Sequence, residues 1–375
     1  MVQTLRPTTL RTVLTPKALI RLVLGWGAFL LTIPARPILA SPLPGPALIA
    51  VLAAIVLVIV VCAFGVVSEA EHLARRLGDP YGTLVLTLSI VLIEVILISA
   101  VMLGPGEHAT IARDSVMAVS MIILNLVVGA ALLVGGLRHS RLRPNRAGVS
   151  AYLSVLVVLT AVAFALPAVI GSRGAYSPTQ EIPIIVLTVV LYAFFLWRQI
   201  GAQSEDFREV GLMNSDAEFA PQQNARAEVV ARTAVLVATV VPIVLLSHDM
   251  AALLDDGLNR LGAPIALSGI LIAMIVFLPE TITTIRAAYM GEIQRVSNLC
   301  HGALVSTVGL TIPAVLTIGL LTGQTVILAE TPANLVLLGV TLLLTVTTFG
   351  GGRVTALHGA PHLLLFVLYG LSVFV

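Results

Sequence analysis

The sequence predicts an all-α polytopic membrane protein of about eleven transmembrane helices. Three observations predict it. Of the 375 residues, 58% are hydrophobic and only 11% are charged, where a soluble domain carries about 25% charged residues. The mean hydropathy is +1.04. Apolar runs of spanning length recur along the whole chain, and its basic residues gather on one side of them.

The runs lie near 18–35, 47–68, 81–103, 114–137, 149–171, 181–200, 228–250, 264–288, 296–320, 325–348 and 354–375. A helix needs about 20 apolar residues to cross the hydrocarbon core, and most of these runs supply them. The first follows a basic stretch that ends at Arg21, the outline of a signal peptide. With ten further spans behind it, it reads as a retained first helix. The eighth carries Pro279 within it, and the eleventh is interrupted by His358, Pro361 and His362. Cys62 and Cys300 fall in or beside apolar runs and read as small packing residues rather than a disulfide framework.

Orientation follows from Lys and Arg. With a cytoplasmic N-terminus, only Arg36, Arg113, Arg173 and Arg260 fall outside, and the other 17 of the 21 basic residues fall inside. That bias predicts an N-in, C-out protein of the inner membrane, which requires an odd number of spans. The longest polar stretch, 201–227, holds Glu205, Asp206, Glu209, Asp216 and Glu218 and reads as a solvated cytoplasmic linker.

Punctuation repeats across that linker. Glu71–Gly78 and Asp255–Gly262 both open on an acid, both close on Arg-Leu-Gly, and Pro80 and Pro264 follow at the same offset. Glu94 comes 16 residues after Gly78 and Glu280 comes 18 after Gly262; beyond them Met121–Gly135 can be laid on Val305–Gly319. Arg76 falls inside and Arg260 outside, so the halves run in opposite directions. The expected organisation is an extra N-terminal helix (1–40), a first five-helix repeat (41–200), the linker (201–227) and a second, inverted five-helix repeat (228–375). Inverted repeats place a substrate site near the midplane, often on broken helices.

Glu94 is the only charge in the run 81–103; Asp79 lies 15 residues before it and Glu107 13 after, so each is about 20 Å away along a helix. A carboxylate at that depth costs about 2.5–3.5 kcal/mol, and such residues default to function. Glu280 takes the equivalent place in the second half. Pro279 before it removes a backbone donor and frees the carbonyl of Ile275, and Thr281, Thr283 and Thr284 add hydroxyls. Carboxylate, carbonyl and hydroxyl oxygens suit hard cations such as calcium or sodium. Two buried carboxyls near one site hold protons when empty and release them to a metal ion, titrating as one coupled system. Glu94 and Glu280 are therefore the expected cation and proton ligands. Secondary candidates are Asn125 and Ser306, which occupy corresponding places on the fourth and ninth helices, and Thr281. Glu69, Glu71 and Asp249 stand at expected helix ends, where they line access routes or act as interfacial polar groups.

No His-Glu-x-x-His, Gly-x-Ser-x-Gly or Gly-x-x-x-x-Gly-Lys occurs, and Lys17 is the sole lysine. That argues against an ATP-driven pump and an enzyme. The formal charge of +2 argues against nucleic acid.

The stretch from Glu71 through Gly82-Thr83-Leu84 to Glu94-Val95-Ile96-Leu97-Ile98 resembles the first alpha repeat of the cation/calcium exchanger superfamily. The stretch Gly269–Phe277, Leu278-Pro279-Glu280, with Ser306–Pro313, resembles the second. The branch it is most similar to is the bacterial ChaA-type calcium or sodium/proton antiporters, relatives of the vacuolar calcium/proton exchangers. The resemblance implies one extra helix plus two inverted five-helix repeats, with Glu94 and Glu280 binding cation and protons in turn. The vacuolar pattern Gly-Asn-x-x-Glu is replaced here by Ile90–Glu94 and Val276–Glu280, without the asparagines.

The expected function is therefore a secondary antiporter that exports Ca²⁺ against protons, with Na⁺ or K⁺ as the alternative cargo. A non-transporting scaffold or an intramembrane enzyme is the alternative of a different class. The expected partners are inorganic cations, protons and the lipid bilayer, with no cofactor.

Overall fold

A computed structural model describes residues 13–39, 43–77, 109–140, 142–210 and 225–374, and within 84–102 only Leu84, Val85, Leu88, Val91, Val95, Ile98 and Met102, all helical. Among the described residues the protein is helical throughout, with isolated β-bridges only in loops. The helices are α1 (Pro16–Leu39), α2 (Gly45–Leu77), α3 (Ile111–Arg138), α4 (Arg146–Ile170), α5 (Pro178–Ile200), α6 (Ala225–Arg260), α7 (Ile265–Val276), α8 (Leu278–Met290), α9 (Ile293–Thr322), α10 (Pro332–Gly350) and α11 (Ala356–Ser372). Eight of them are long and apolar enough to cross a membrane. The protein is a multi-pass membrane protein, because a backbone in lipid must satisfy its own hydrogen bonds and a helix does so within one segment.

Several boundaries differ from those the hydropathy predicts. α2 runs on to Leu77 and α6 to Arg260, so Glu69, Glu71 and Asp249 lie within helices rather than at their ends. A hydropathy window stops at the first charges, whereas a helix continues as long as neighbouring helices satisfy those charges. The eighth expected span is two helices. α7 ends at Phe277, whose N–H donates to the Ala273 carbonyl (2.9 Å) and whose ψ of 8° leaves the helical range. Pro279 has no N–H to donate to the Ile275 carbonyl and so cannot continue the α7 ladder; it occupies the first turn of α8, where no N–H is needed. The expected proline kink is thus a full helix break.

Two π-helical turns, Ile122–Val127 in α3 and Ala161–Ala165 in α4, have no signal in the hydropathy. Each follows a hydroxyl that bonds back to the carbonyl four residues earlier. Ser120 Oγ donates to Val116 (2.6 Å) and Thr160 Oγ1 to Leu156 (2.7 Å). Such back-bonding competes with the helical ladder.

The chain divides into two compact units, Met1–Ser89 with Asn214–Pro279 and Ile90–Met213 with Glu280–Val375. This division by packing differs from the sequence repeats, since each unit takes a segment from both halves.

In the first unit α6 lies against α2, α1 and α7. Gly25 of α1 faces Cys62 of α2 and Pro242 of α6 at one point, where a Cβ would come within 3.0–3.3 Å of both. Trp26 Nε1 donates to the Ala238 carbonyl (2.9 Å).

In the second unit α9 is the core helix, buried along most of its length and packed on α5, α4 and α3. α11 crosses α3 where Gly129 and Gly359 meet backbone to backbone, the close approach that small residues permit between membrane helices. Over 201–210 the polar segment after α5 keeps much of its length exposed but is anchored to the helices at two residues, Phe207 and Glu209. Phe207 is buried against Tyr152 and Phe195 (ring centroids 5.0 and 6.0 Å). Glu209 Oε2 accepts from the N–H groups of Gln294 (2.8 Å) and Arg295 (3.3 Å) at the start of α9, a favourable place for a carboxylate. Asp216 and Glu218 lie outside the described residues.

Candidate functional site

Glu280 is the third residue of α8 and is 4% exposed. Thr283 and Thr284, one turn on, are buried with it, because residues three and four apart share a helix face. Cys300 of α9 faces them; its Sγ donates to Thr284 Oγ1 at 3.9 Å and stands within electrostatic range of Glu280. The carboxyl is therefore turned toward the core helix of its unit and not toward lipid. Its position in a first helical turn also suits negative charge, since the unpaired N–H groups there carry partial positive charge. Thr281 is half-buried, and Arg286 is exposed. Glu94, the other expected ligand, lies outside the described residues, as does the side chain of Glu71.

The secondary candidates fall into two groups. Asn125 and Ser306 are in the second unit and fully or nearly fully buried. Asn125 sits in the π turn of α3; its Nδ2 donates to Thr341 Oγ1 of α10 (2.9 Å), while its Oδ1 has no hydrogen-bond partner among the described residues. Ser306 accepts from the Tyr192 hydroxyl (3.0 Å). Glu69 and Asp249 are in the first unit, and both carboxylates are engaged by arginine. Arg232 Nη1 donates to Glu69 Oε2 (3.0 Å) and its Nε to Glu228 Oε1 (3.0 Å). Asp249 accepts from Thr32 Oγ1 (2.7 Å) and Arg36 Nε (3.2 Å). These two acids join α2 to α6 and α1 to α6.

Sequence reasoning missed two features. The first is a set of buried polar groups along α9, α10 and α11. His301 shares a hydrogen bond with Ser297 Oγ (2.8 Å) and stands edge-on to Phe349 (4.9 Å); Thr348 Oγ1 is 3.3 Å from His362 Nε2. Spacing was the available signal, since Ser297 and His301 are four apart and Thr341, Thr345 and Thr348 lie on one helix face. The second is Glu330, between α9 and α10. Its Oε2 accepts from the Thr331 N–H (3.0 Å) and Asn334 Nδ2 (2.9 Å), and Arg113 Nε lies 3.9 Å from its Oε1. Burial nevertheless outweighs these contacts and pushes the carboxyl above its ordinary range. Nothing local announces it, because its partner Arg113 is more than 200 residues away in the chain.

No group of three or more His, Cys, Asp or Glu side chains that could hold a metal ion occurs among the described residues. Glu280 supplies one carboxylate, so a cation site on it needs ligands from elsewhere in the chain.

Residues 47–201 match the family described as sodium/calcium exchanger protein. The protein y4hA of Sinorhizobium fredii is 35% identical over 310 residues, covering 82% of this chain and 83% of that one. The sodium-potassium/proton antiporter ChaA of Escherichia coli is 31% identical over 313 residues, covering 83% of this chain and 85% of its own. Among solved structures, the H⁺/Ca²⁺ exchanger CAX shares the fold at a TM-score of 0.65 and 15% identity, over 95% of this chain and 89% of that one.

Proposed function

The chain belongs to the sodium/calcium exchanger family, within the cation/calcium exchanger superfamily and with ChaA-type antiporters as relatives, and on that premise we propose that it exchanges a metal cation for protons across the inner membrane through Glu94 and Glu280. The observation that carries this reading is the burial of Glu280 in the first turn of a helix that begins inside the eighth apolar run of the sequence. A broken helix at membrane depth exposes backbone polar groups only where they line a cavity or site.

The chemistry follows from the carboxyl's surroundings. An ionised carboxylate in so dry a place is costly, and its charge is offset either by a proton or by a cation. A second acid in the equivalent place, Glu94, makes the two compete as a pair. Calcium fits a pair of carboxylates by charge. Sodium or potassium is favoured by a different observation. The four residues before each acid, Ile90–Ile93 and Val276–Pro279, carry no amide or hydroxyl, and the relative ChaA is named for sodium and potassium. The N-in, C-out orientation rests on the basic residues.

Cation-dependent proton movement in everted membrane vesicles tests both readings. The proposal expects proton release on adding at least one of Ca²⁺, Na⁺ or K⁺, and the responding ion identifies the cargo. No response to any of the three from pH 6 to 9, with protein present in the membrane, overturns it.

A further inference from the structure

The second unit contains a groove of about 500 Å³ between the start of α4 and the end of α10. Its walls are mainly apolar, with Ser150 and Ser154 among them. Val149, Leu153 and Val157 form a stripe on α4, and Val346 and Phe349 face them from α10. The hydroxyl of Ser154, which also lines the groove, is spent on the Ser150 carbonyl (2.8 Å). Val157 and Val346 are 44% and 42% exposed, so the groove opens on the outer surface of two spanning helices, where the surroundings are lipid.

One end of the groove is basic. Arg146 lines it, and its guanidinium lies directly over Gly352, so close that any Cβ there would collide with Nη2. Gly352 also has a φ of +76°, so glycine is required at this turn on both counts. A bridge between Leu142 and Val354, with the Val354 N–H donating to the Leu142 carbonyl (3.0 Å), ties the α3–α4 connection to the α10–α11 connection. The next residues in that antiparallel register are Arg143 and Arg353, both exposed. Three arginines thus lie close together along the backbone at one end, and no carboxylate among the described residues forms an ion pair with them. The nearby Glu205 is taken by Arg208. Like charges set opposite one another are destabilising, and an anion placed among them relieves that repulsion.

We propose that this groove binds a phospholipid with a net negative headgroup, one acyl chain lying along Val149, Leu153, Val157 and Val346 and the phosphate on Arg143, Arg146 and Arg353. Basic pockets between spanning helices are the expected seats of anionic headgroups. In the orientation proposed above the lipid belongs to the inner leaflet. It would clamp the α3–α4 and α10–α11 connections together without touching Glu280. The inference does not depend on the antiport reading, and it survives if the exchange assay fails.

The test is native mass spectrometry of the purified full-length protein in detergent, titrated with phosphatidylglycerol or with phosphatidylcholine of the same chains. Phosphatidylglycerol is expected to bind in preference, and each of Arg146→Gln and Arg353→Gln is expected to weaken it about five-fold while leaving phosphatidylcholine unchanged. Val346→Trp fills the groove and is expected to displace both lipids. It leaves the arginines intact, so it tests the groove separately from the charge. Equal binding of the two lipids by the wild type overturns the proposal, as does unchanged phosphatidylglycerol binding in the arginine variants or in Val346→Trp. Thermal unfolding of each variant confirms that a loss reflects the site and not the fold.

Discussion

Arg232 of α6 donates to Glu69 of α2 across 3.0 Å, with both side chains about nine-tenths buried. The two residues are 163 apart in the chain, and the bond holds two spanning helices of the first unit in register. Arg232 also holds Glu228 one turn before it. Arg232→Leu leaves two carboxylates without their cation and is expected to destabilise the protein by about 3–5 kcal/mol, because a buried charge deprived of its partner is strongly unfavourable. Glu69→Gln leaves Arg232 still paired with Glu228 and is expected to have the smaller effect. Thermal unfolding in detergent gives the order; equal losses would rule out the shared arginine.

Glu280→Gln keeps the shape of the side chain and removes its ability to gain and lose a proton. The expected result is a protein that unfolds near the wild-type temperature, since the neutral amide matches the shape and charge of a protonated carboxyl, and shows cation-dependent proton movement at background. Glu94→Gln is expected to behave alike. Exchange at the wild-type rate in either variant excludes the carboxyl pair as the coupling element.

Glu330 gives a pH dependence with a definite sign. Burial raises its pKa above the ordinary carboxylate value. The folded protein therefore holds this proton more tightly than the unfolded chain does. The resulting stabilisation is complete below the ordinary carboxylate range and is lost as pH rises through the raised value. Glu330→Gln is expected to remove that decline. Unfolding temperatures of wild type and variant between pH 4 and 8 should converge at the acid end and separate toward neutrality, with the wild type lower. Parallel curves would show that Glu330 titrates in both states alike.

Thr341→Val tests the bond between α10 and the π turn of α3. The substitution keeps side-chain shape and deletes the hydroxyl that accepts from Asn125 Nδ2. Asn125 Nδ2 then keeps only the weak acceptor Met121 Sδ (3.6 Å), and a buried donor stripped of a good acceptor costs about 1–3 kcal/mol. Unfolding of the Thr341→Val, Asn125→Leu and double variants should show the double costing less than the sum of the singles. Strict additivity would mean that the two side chains do not interact.

Much of this protein was legible one segment at a time. Apolar length located α1, α4, α5 and α9 to within a few residues, because lipid imposes a minimum run on each helix independently of the others. Pro279 announced an interruption beside Glu280, since its effect is confined to its own turn. Thr283 and Thr284 were expected to bring hydroxyls near Glu280, and the structure buries both with it.

The pairings were decided only in three dimensions. Glu69 and Asp249 read alike in the sequence, as acids where apolar runs stop, and both turned out to lie inside helices on arginines far away in the chain. Glu330 had no local signature, and neither did the arginines gathered beside Gly352. A hydropathy window sums the transfer energies of neighbours in sequence and so finds what must enter the membrane. Which charges can stay there depends on what an adjacent helix presents at the same depth, and that is fixed only when the helices pack.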